Sequence, residues 1–269
     1  MIESPRIAIV GVGSIGSNHI DNLLAMGYQD LVGVDTRPMP NEDRLPVISA
    51  FCDLEPWKPT HALICSPPDW HYHHAKYFVD RGIPTFIEKP MTVSRVEASE
   101  LCATAHMNKS TLAVGYMERA HQVVQKAKEF IEKNGCVRAE ICCYWKATEK
   151  TYPLHTAQES SHAIDLAQFL LGDMSLMSVK DLPWREVILT VKHTRACETK
   201  ICMNAHENWP RRVLSLESKN GEVFSELYGE SKEEWAPCYQ EELAAFLAGK
   251  PLCTGEDGLR VVEILEEMK

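Results

Sequence analysis

An apolar run, Arg6-Ile-Ala-Ile-Val10, ends directly on Gly11-Val-Gly13-Ser14-Ile15-Gly16, and a helical stretch over 14–26 follows. A strand that enters a helix through glycines at this spacing points to a doubly wound α/β sheet. Gly11 permits the tight turn, Gly13 lets a pyrophosphate approach the backbone, and Gly16 lets helix and strand pack closely. The helix start, at Ser14 and Ile15, offers free N–H groups and partial positive charge to an anion. A bound dinucleotide is therefore expected at Gly11, Gly13, Ser14, Ile15 and Gly16; a glycine-rich turn without a ligand is the bland alternative.

Asp35 ends the second apolar run, Leu31-Val-Gly-Val34, about 20 residues past the turn, where this fingerprint expects an acid. Its carboxylate would accept hydrogen bonds from an adenosine ribose and repel a 2′-phosphate, which favours NAD. Arg37, two residues on, keeps NADP possible, because a guanidinium there could reach that phosphate.

From residue 6 to about 118, short β-branched runs alternate with helical stretches: Ala62–Cys65, helix 70–81, Thr85–Ile87, helix 93–107 and Thr111–Val114 continue the pattern. Such alternation means parallel strands with helices on both faces, a Rossmann-type domain assigned to 1–118. The rhythm then changes to long strand-like runs at 137–147, 187–194, 199–206, 211–218 and 222–228, with Lys219-Asn220-Gly221 supplying the left-handed residues of a hairpin turn. Helices are expected at 119–134, 158–171, 239–248 and 256–268. Residues 119–269 thus read as an α+β domain with an open, mostly antiparallel sheet. Val187-Ile-Leu-Thr-Val191 and Val213-Leu-Ser-Leu216 exceed what one helix layer covers, so an apolar outer face and a homo-oligomer, dimer or tetramer, are expected.

Composition narrows the partners. The 269 residues carry 28 Lys+Arg against 38 Asp+Glu, a net charge of −10, with no basic run, so nucleic acid is excluded as a partner. The opening MIESPRIAIVGVG builds neither a signal peptide nor a membrane helix, which leads to a cytoplasmic protein with no membrane partner. Several of the ten cysteines (Cys65, Cys102, Cys142, Cys143, Cys202) lie in apolar runs and read as reduced, core-filling thiols. No CxxC pair occurs, and adjacent Cys142 and Cys143 point to opposite strand faces, so no metal is expected. His71, His73 and His74 project at different angles around a helix start, and Asp69 beside them suits a helix cap better than a ligand.

Ser66-Pro67-Pro-Asp-Trp-His71 and Glu88-Lys89-Pro90 each follow a strand of the first domain, at the carboxyl ends where open α/β sheets bind ligands. Ser66, Pro67, His71, Glu88 and Lys89 join the cofactor-binding candidates.

These segments, with VGYMER at 114–119, Ser161-His162-Ala-Ile-Asp165-Leu and the closing EELAAFLAGKPLCTGEDGLRVVEIL, resemble the glucose–fructose oxidoreductase/inositol dehydrogenase/MocA family of nicotinamide-dependent sugar dehydrogenases. VGYMERAHQVV is similar to its UDP-N-acetylglucosamine 3-dehydrogenases. The resemblance implies that Lys89 lies at the nicotinamide and contacts the substrate hydroxyl, and that the Lys89–Pro90 bond is cis. It also implies that His162, on a second-domain helix, takes the hydroxyl proton. Lys89 and His162 are thus the catalytic candidates, and Lys89, Arg119, Gln158 and His162 the substrate-binding ones.

Two departures stand out. The family's charged residue four positions before the histidine is Gln158 here, which can orient an imidazole but cannot balance its charge; Glu159 faces about 100° away on a regular helix. The region between Thr148 and Gln158 lacks the family's glycine-rich lead-in, so part of the substrate-side sheet is expected to be trimmed. The implied activity is hydride transfer between a nicotinamide and a secondary hydroxyl or ketone of a sugar or nucleotide sugar. The alternative is a dinucleotide-binding redox sensor or regulatory protein with little turnover. An amino-acid or pigment dehydrogenase would need a carboxylate pocket, to which Arg119, Arg195, Arg211 and Arg212 could contribute.

Overall fold

The computed structural model describes residues 4–37, 43–145, 154–182, 186–194, 197–205, 211–231 and 233–268, without the side chains of 145, 154–160, 181–182, 186 and 204–205. Arg195, the side chains of Gln158 and Glu159, and most of the 148–158 lead-in lie outside the described residues. The chain forms two compact units, Met1–Tyr116 with Tyr239–Val262, and Met117–Cys238 with Glu263–Lys269.

The first unit is built on six parallel strands, β1 (Ile7–Val10), β2 (Leu31–Val34), β3 (Val47–Ile48), β4 (His61–Ile64), β5 (Thr85–Glu88) and β6 (Leu112–Gly115), ordered β3-β2-β1-β4-β5-β6. All four residues of β1, β2, β5 and β6 are buried, as strands covered on both faces require. On one face Ile20 and Leu23 of α1 (Ser14–Ala25) join Ile7, Ile9, Leu63 and Phe86 in the core. On the other, α2 (His71–Val79) packs against β4, β5 and α3 (Arg95–Met107). The closing segment contributes too: Leu243 and Phe246 of α6 (Trp235–Leu247) enter the same core as Ile7 and Phe86. That burial gathers 239–262 with the first unit, where a division by sequence order puts it with the second.

The second unit holds a mixed sheet, β7 (Arg138–Trp145), β8 (Met174–Leu182), β9 (Glu186–His193), β10 (Glu198–Ala205), β11 (Arg211–Glu217) and β12 (Val223–Tyr228), ordered β12-β11-β7-β10-β9-β8. Among the described residues of this sheet, only β7 and β10 pair in parallel. Helices α4 (Gln122–Asn134) and α5 (Leu154–Leu171) belong to this unit, α5 packing on β7 and β10. Ser218 and Glu222 close the β11–β12 turn, and of Lys219, Asn220 and Gly221 only Gly221 is left-handed (φ 79°), which corrects the expectation for that turn. A three-residue loop needs one such residue. The outer face is also less apolar than expected. Leu189, Ile201, Ile141 and Leu214 are fully buried on the inner face, whereas outside one cross-strand row, Ile188-Cys202-Cys142-Val213-Leu227, borders a polar row, Thr190-Lys200-Glu140-Ser215-Ser225. Among the described residues no helix is long and apolar enough to cross a membrane.

Candidate active site

The three glycines do three different things. Gly11 takes φ 87°, and a Cβ there would lie 2.7 Å from the Ser66 backbone nitrogen, so the loops after β1 and β4 abut at the point where strand order reverses. A Cβ on Gly16 would lie 2.0 Å from the Gly11 carbonyl oxygen. A Cβ on Gly13 would meet nothing within 4 Å. Helix α1 starts at Ser14 with no side-chain cap and no acid in its first turn, leaving its N–H groups and positive end for an anion. These residues fit a pyrophosphate.

Asp35, 7% exposed at its side chain, accepts the Val12 N–H through Oδ2 (3.1 Å) and the Arg37 N–H through Oδ1 (3.0 Å). The exposed Arg37 guanidinium leans back on the same carboxylate at 3.5 Å.

At the carboxyl end of β4, Ser66 is buried and Pro67 exposed. His71 is 1% exposed, its Nδ1 2.8 Å from the Pro90 carbonyl and its Nε2 2.8 Å from the Ser66 carbonyl. Burial outweighs those two carbonyls and holds its pKa below the ordinary value. His71 thereby ties the Ser66 loop to Lys89–Pro90, whose peptide bond is cis. His74 turns Nδ1 to the Ser66 hydroxyl at 2.9 Å, while His73 is exposed. Asp69 does not cap α2: it sits inside a short 3-10 turn, Pro68–Trp70, and the cap position is Trp70 with no side-chain bond.

Lys89 follows β5 directly, its N–H donating to Oε2 of Glu88 at 3.1 Å. Oε1 of Glu88 meets Nε2 of His19 at 2.6 Å. Burial pushes the Glu88 carboxyl up, but the hydrogen bond and charge of His19, and Lys89 beside it, leave it below the usual range. His19 is a site residue that sequence reasoning missed, its only signal being its place one turn beyond Gly16.

In the second unit His162, on α5, is 5% exposed, and its Nδ1 lies 3.7 Å from Oε1 of the fully buried Glu118. Oε1 also accepts from Nε of Arg212 (2.9 Å), and Oε2 from the Tyr228 hydroxyl (3.3 Å). Burial lowers the pKa of Arg212, but Glu118 beside it raises it further, so the guanidinium stays charged. Burial and Glu118 push the Tyr228 hydroxyl well up. Arg119 grips Asp165, three residues along α5 from His162, with Nε at 3.0 and 3.2 Å and Nη2 at 2.6 Å. Both Arg119 and Arg212 therefore face acids of the protein, and Arg211 lies over the Tyr144 ring. Glu118 escaped sequence reasoning because its partners stand 44 to 110 residues away, Tyr228 the farthest.

Cys142 and Cys202 pair in register across β7 and β10, and with Glu140 their ligand atoms lie within 4.8 Å of one another, although Glu140 already binds Lys200 at 3.0 Å. A motif search along the chain misses such cross-strand groups.

The chain is similar to several known proteins. Residues 5–116 match the GFO_IDH_MocA family, described as an oxidoreductase family with an NAD-binding Rossmann fold. Residues 5–116 are thus similar to the NAD-binding domain of that family. A UDP-N-acetylglucosamine 3-dehydrogenase of Acidithiobacillus ferrooxidans is 26% identical over 132 residues, 46% of this chain and 41% of that protein. The chain spans 35 to 41% of the length of the curated relatives it matches. Among solved structures, a myo-inositol dehydrogenase from Corynebacterium glutamicum shares the fold with TM-score 0.84 and 18% identity, covering 99% of this chain and 96% of that one. GenD2 from gentamicin A biosynthesis, in complex with NAD, also gives 0.84 at 18% identity, covering 99% and 93%.

Proposed function

We propose that the protein is an NAD-dependent dehydrogenase acting on a secondary hydroxyl, or the matching ketone, of a sugar or nucleotide sugar. The carrying observation is Lys89 at the carboxyl end of β5, in the same unit as the uncapped, glycine-lined start of α1. When bound, the nicotinamide supplies the hydride acceptor. The Lys89 ammonium binds the hydroxyl oxygen and stabilises negative charge on it as the C–H bond breaks. His162 takes the hydroxyl proton, so the carbinol loses one hydride and one proton and becomes a ketone; in reverse His162 returns the proton. An imidazole suits this exchange because it titrates near neutrality. The name of the Acidithiobacillus relative supports a sugar substrate bearing a nucleotide, and Gln158 and Arg119 stand as further substrate-side candidates.

The test is a panel of sugars and nucleotide sugars with NAD, followed by nicotinamide absorbance. At least one should turn over, and Lys89→Met and His162→Ala should each slow it by about 10²- to 10⁴-fold while NAD affinity stays within a few-fold. NAD binding without turnover on any of them would favour a dinucleotide sensor instead. The protein is placed in the cytoplasm, where its thiols stay reduced. It assembles with itself along the row Ile188-Cys202-Cys142-Val213-Leu227; a monomer in light scattering at micromolar concentration would overturn that assembly.

A further inference from the structure

A base that is 5% exposed must hold a positive charge once it has taken a proton, and burial disfavours that charge unless an anion lies close. Gln158, four residues before His162, carries no charge, and the side chain of Glu159 lies outside the described residues. The structure brings an anion from a different element. Glu118 lies in the short turn Met117–Ala120 before α4, 0% exposed, with Oε1 3.7 Å from Nδ1 of His162.

We propose that Glu118 is a positioning residue that faces Nδ1 of His162 and supplies the negative charge that lets the ring keep a proton. The proposal rests on the reading of His162 as the acid/base. Among the described side chains of α5, the acid close to His162, Asp165, is gripped at both oxygens by Arg119. Glu118 is held differently. Arg212 approaches one oxygen through Nε alone, with its Nη1 on the Tyr144 carbonyl at 3.2 Å, and Tyr228 approaches the other, so the carboxylate is fixed on two sides and still turned toward the imidazole.

The charged and titratable groups of this cluster come from several elements: Glu118 and Arg119 from the turn, Asp165 from α5, Arg212 from β11, with Tyr228 of β12 and Cys143 of β7. Glu118 draws a proton onto His162, and the Arg212 cation opposes it. Removing one or the other must therefore move the ring's proton affinity in opposite directions.

That opposition can be read by NMR of protein with 15N-labelled histidine, with His162→Ala to assign the signal and no substrate required. Glu118→Gln should lower the pH at which His162 takes its proton by about one unit, a tenfold weaker hold. Arg212→Met should raise it. Because Glu118→Gln leaves Arg212 a buried cation without its anion, the double variant Glu118→Gln/Arg212→Met is measured as well and should titrate below Arg212→Met alone. A midpoint within about 0.3 of the parent in folded Glu118→Gln, or in the double variant against its background, overturns the proposal. With a confirmed substrate, the acidic limb of the kcat profile should move by the same amount and the KM for NAD should not. If the midpoint moves but His162→Ala turns over like the parent, the acid/base reading fails, and Glu118 with it as a contributor to turnover.

Discussion

The imidazole of His19 and the carboxylate of Glu88 meet at 2.6 Å in the interior of the first unit, 69 residues apart in sequence. The contact joins α1, whose uncapped start fits a pyrophosphate, to the residue before Lys89. His19→Leu roughly keeps the volume but strips a buried anion of its donor, and it should cost about 3 kcal/mol or more of stability. Adding Glu88→Met should recover much of that loss. Urea unfolding of the parent, the two single variants and the double variant checks this, and losses that simply add would show that the pair is not coupled.

The glycine loop separates folding from binding. Gly16→Ala forces a Cβ to within 2.0 Å of a backbone oxygen, so it should destabilise the fold by about 3 kcal/mol, near the upper end for overpacking. Gly13→Ala meets no protein atom within 4 Å, so its melting temperature should match the parent's. Its NAD affinity should nonetheless fall about tenfold or more, since the methyl occupies the approach of the pyrophosphate. Calorimetry and thermal melts on the two variants test the split; equal NAD affinity in Gly13→Ala would remove this loop as the binding site.

Cofactor choice turns on Asp35, whose carboxylate is anchored by two backbone N–H groups and cannot easily swing away. A phosphate charge about 4 Å from it would be repelled by at most ~4 kcal/mol, less whatever Arg37 returns. NAD should therefore bind better than NADP, and Asp35→Ser should narrow the difference. Tighter NADP binding by the parent in calorimetry would make Arg37 a phosphate ligand.

Acid should weaken the protein before its carboxylates protonate. Burial lowers the pKa of His61, His71, His74, His121 and His193 from 6.5. The unfolded chain then binds protons more readily than the folded one, so stability is present above about pH 6.5 and is lost as pH falls from there through the folded values. Glu88 and Glu140, also lowered, act in the same direction but only below about pH 4.5. The urea midpoint should fall between about pH 7.5 and 5.5; a flat or rising midpoint would show that these rings do not govern the window.

The parallel sheet was legible because its signals are local: glycines at fixed offsets, buried runs of four, helices between them. Strand β8 was not, because a register shift between Leu176 and Ser178 breaks the alternation of Met174-Ser-Leu-Met-Ser-Val that would announce a strand. Strand β3, with Val47 and Ile48 only, is too short to leave a pattern. Sequence pointed to Lys89 and His162 through motifs, yet the residues that surround them, His19 and Glu118, arrive from distant segments. A carboxylate's partner is decided by folding, and no spacing along the chain encodes it.

The segment Tyr239–Val262 completes the first unit from the far end of the chain. Phe246 meets His61 edge-on and Phe86 at a tilt, each at 5.7 Å between ring centroids, and Gly255 and Gly258 let the start of α7 (Gly255–Glu267) lie against Leu112 and Val114. A ribosome that has released residues 1–116 has made the parallel strands and α1 but not Leu243 and Phe246, which complete the cover on the α1 face. Part of that face stays uncovered, or leans on a chaperone, until the intervening domain has been synthesised. The glycine-lined turn is thus among the first parts made, on a sheet whose cover closes late, so a fragment cut after residue 116 would keep part of that face exposed.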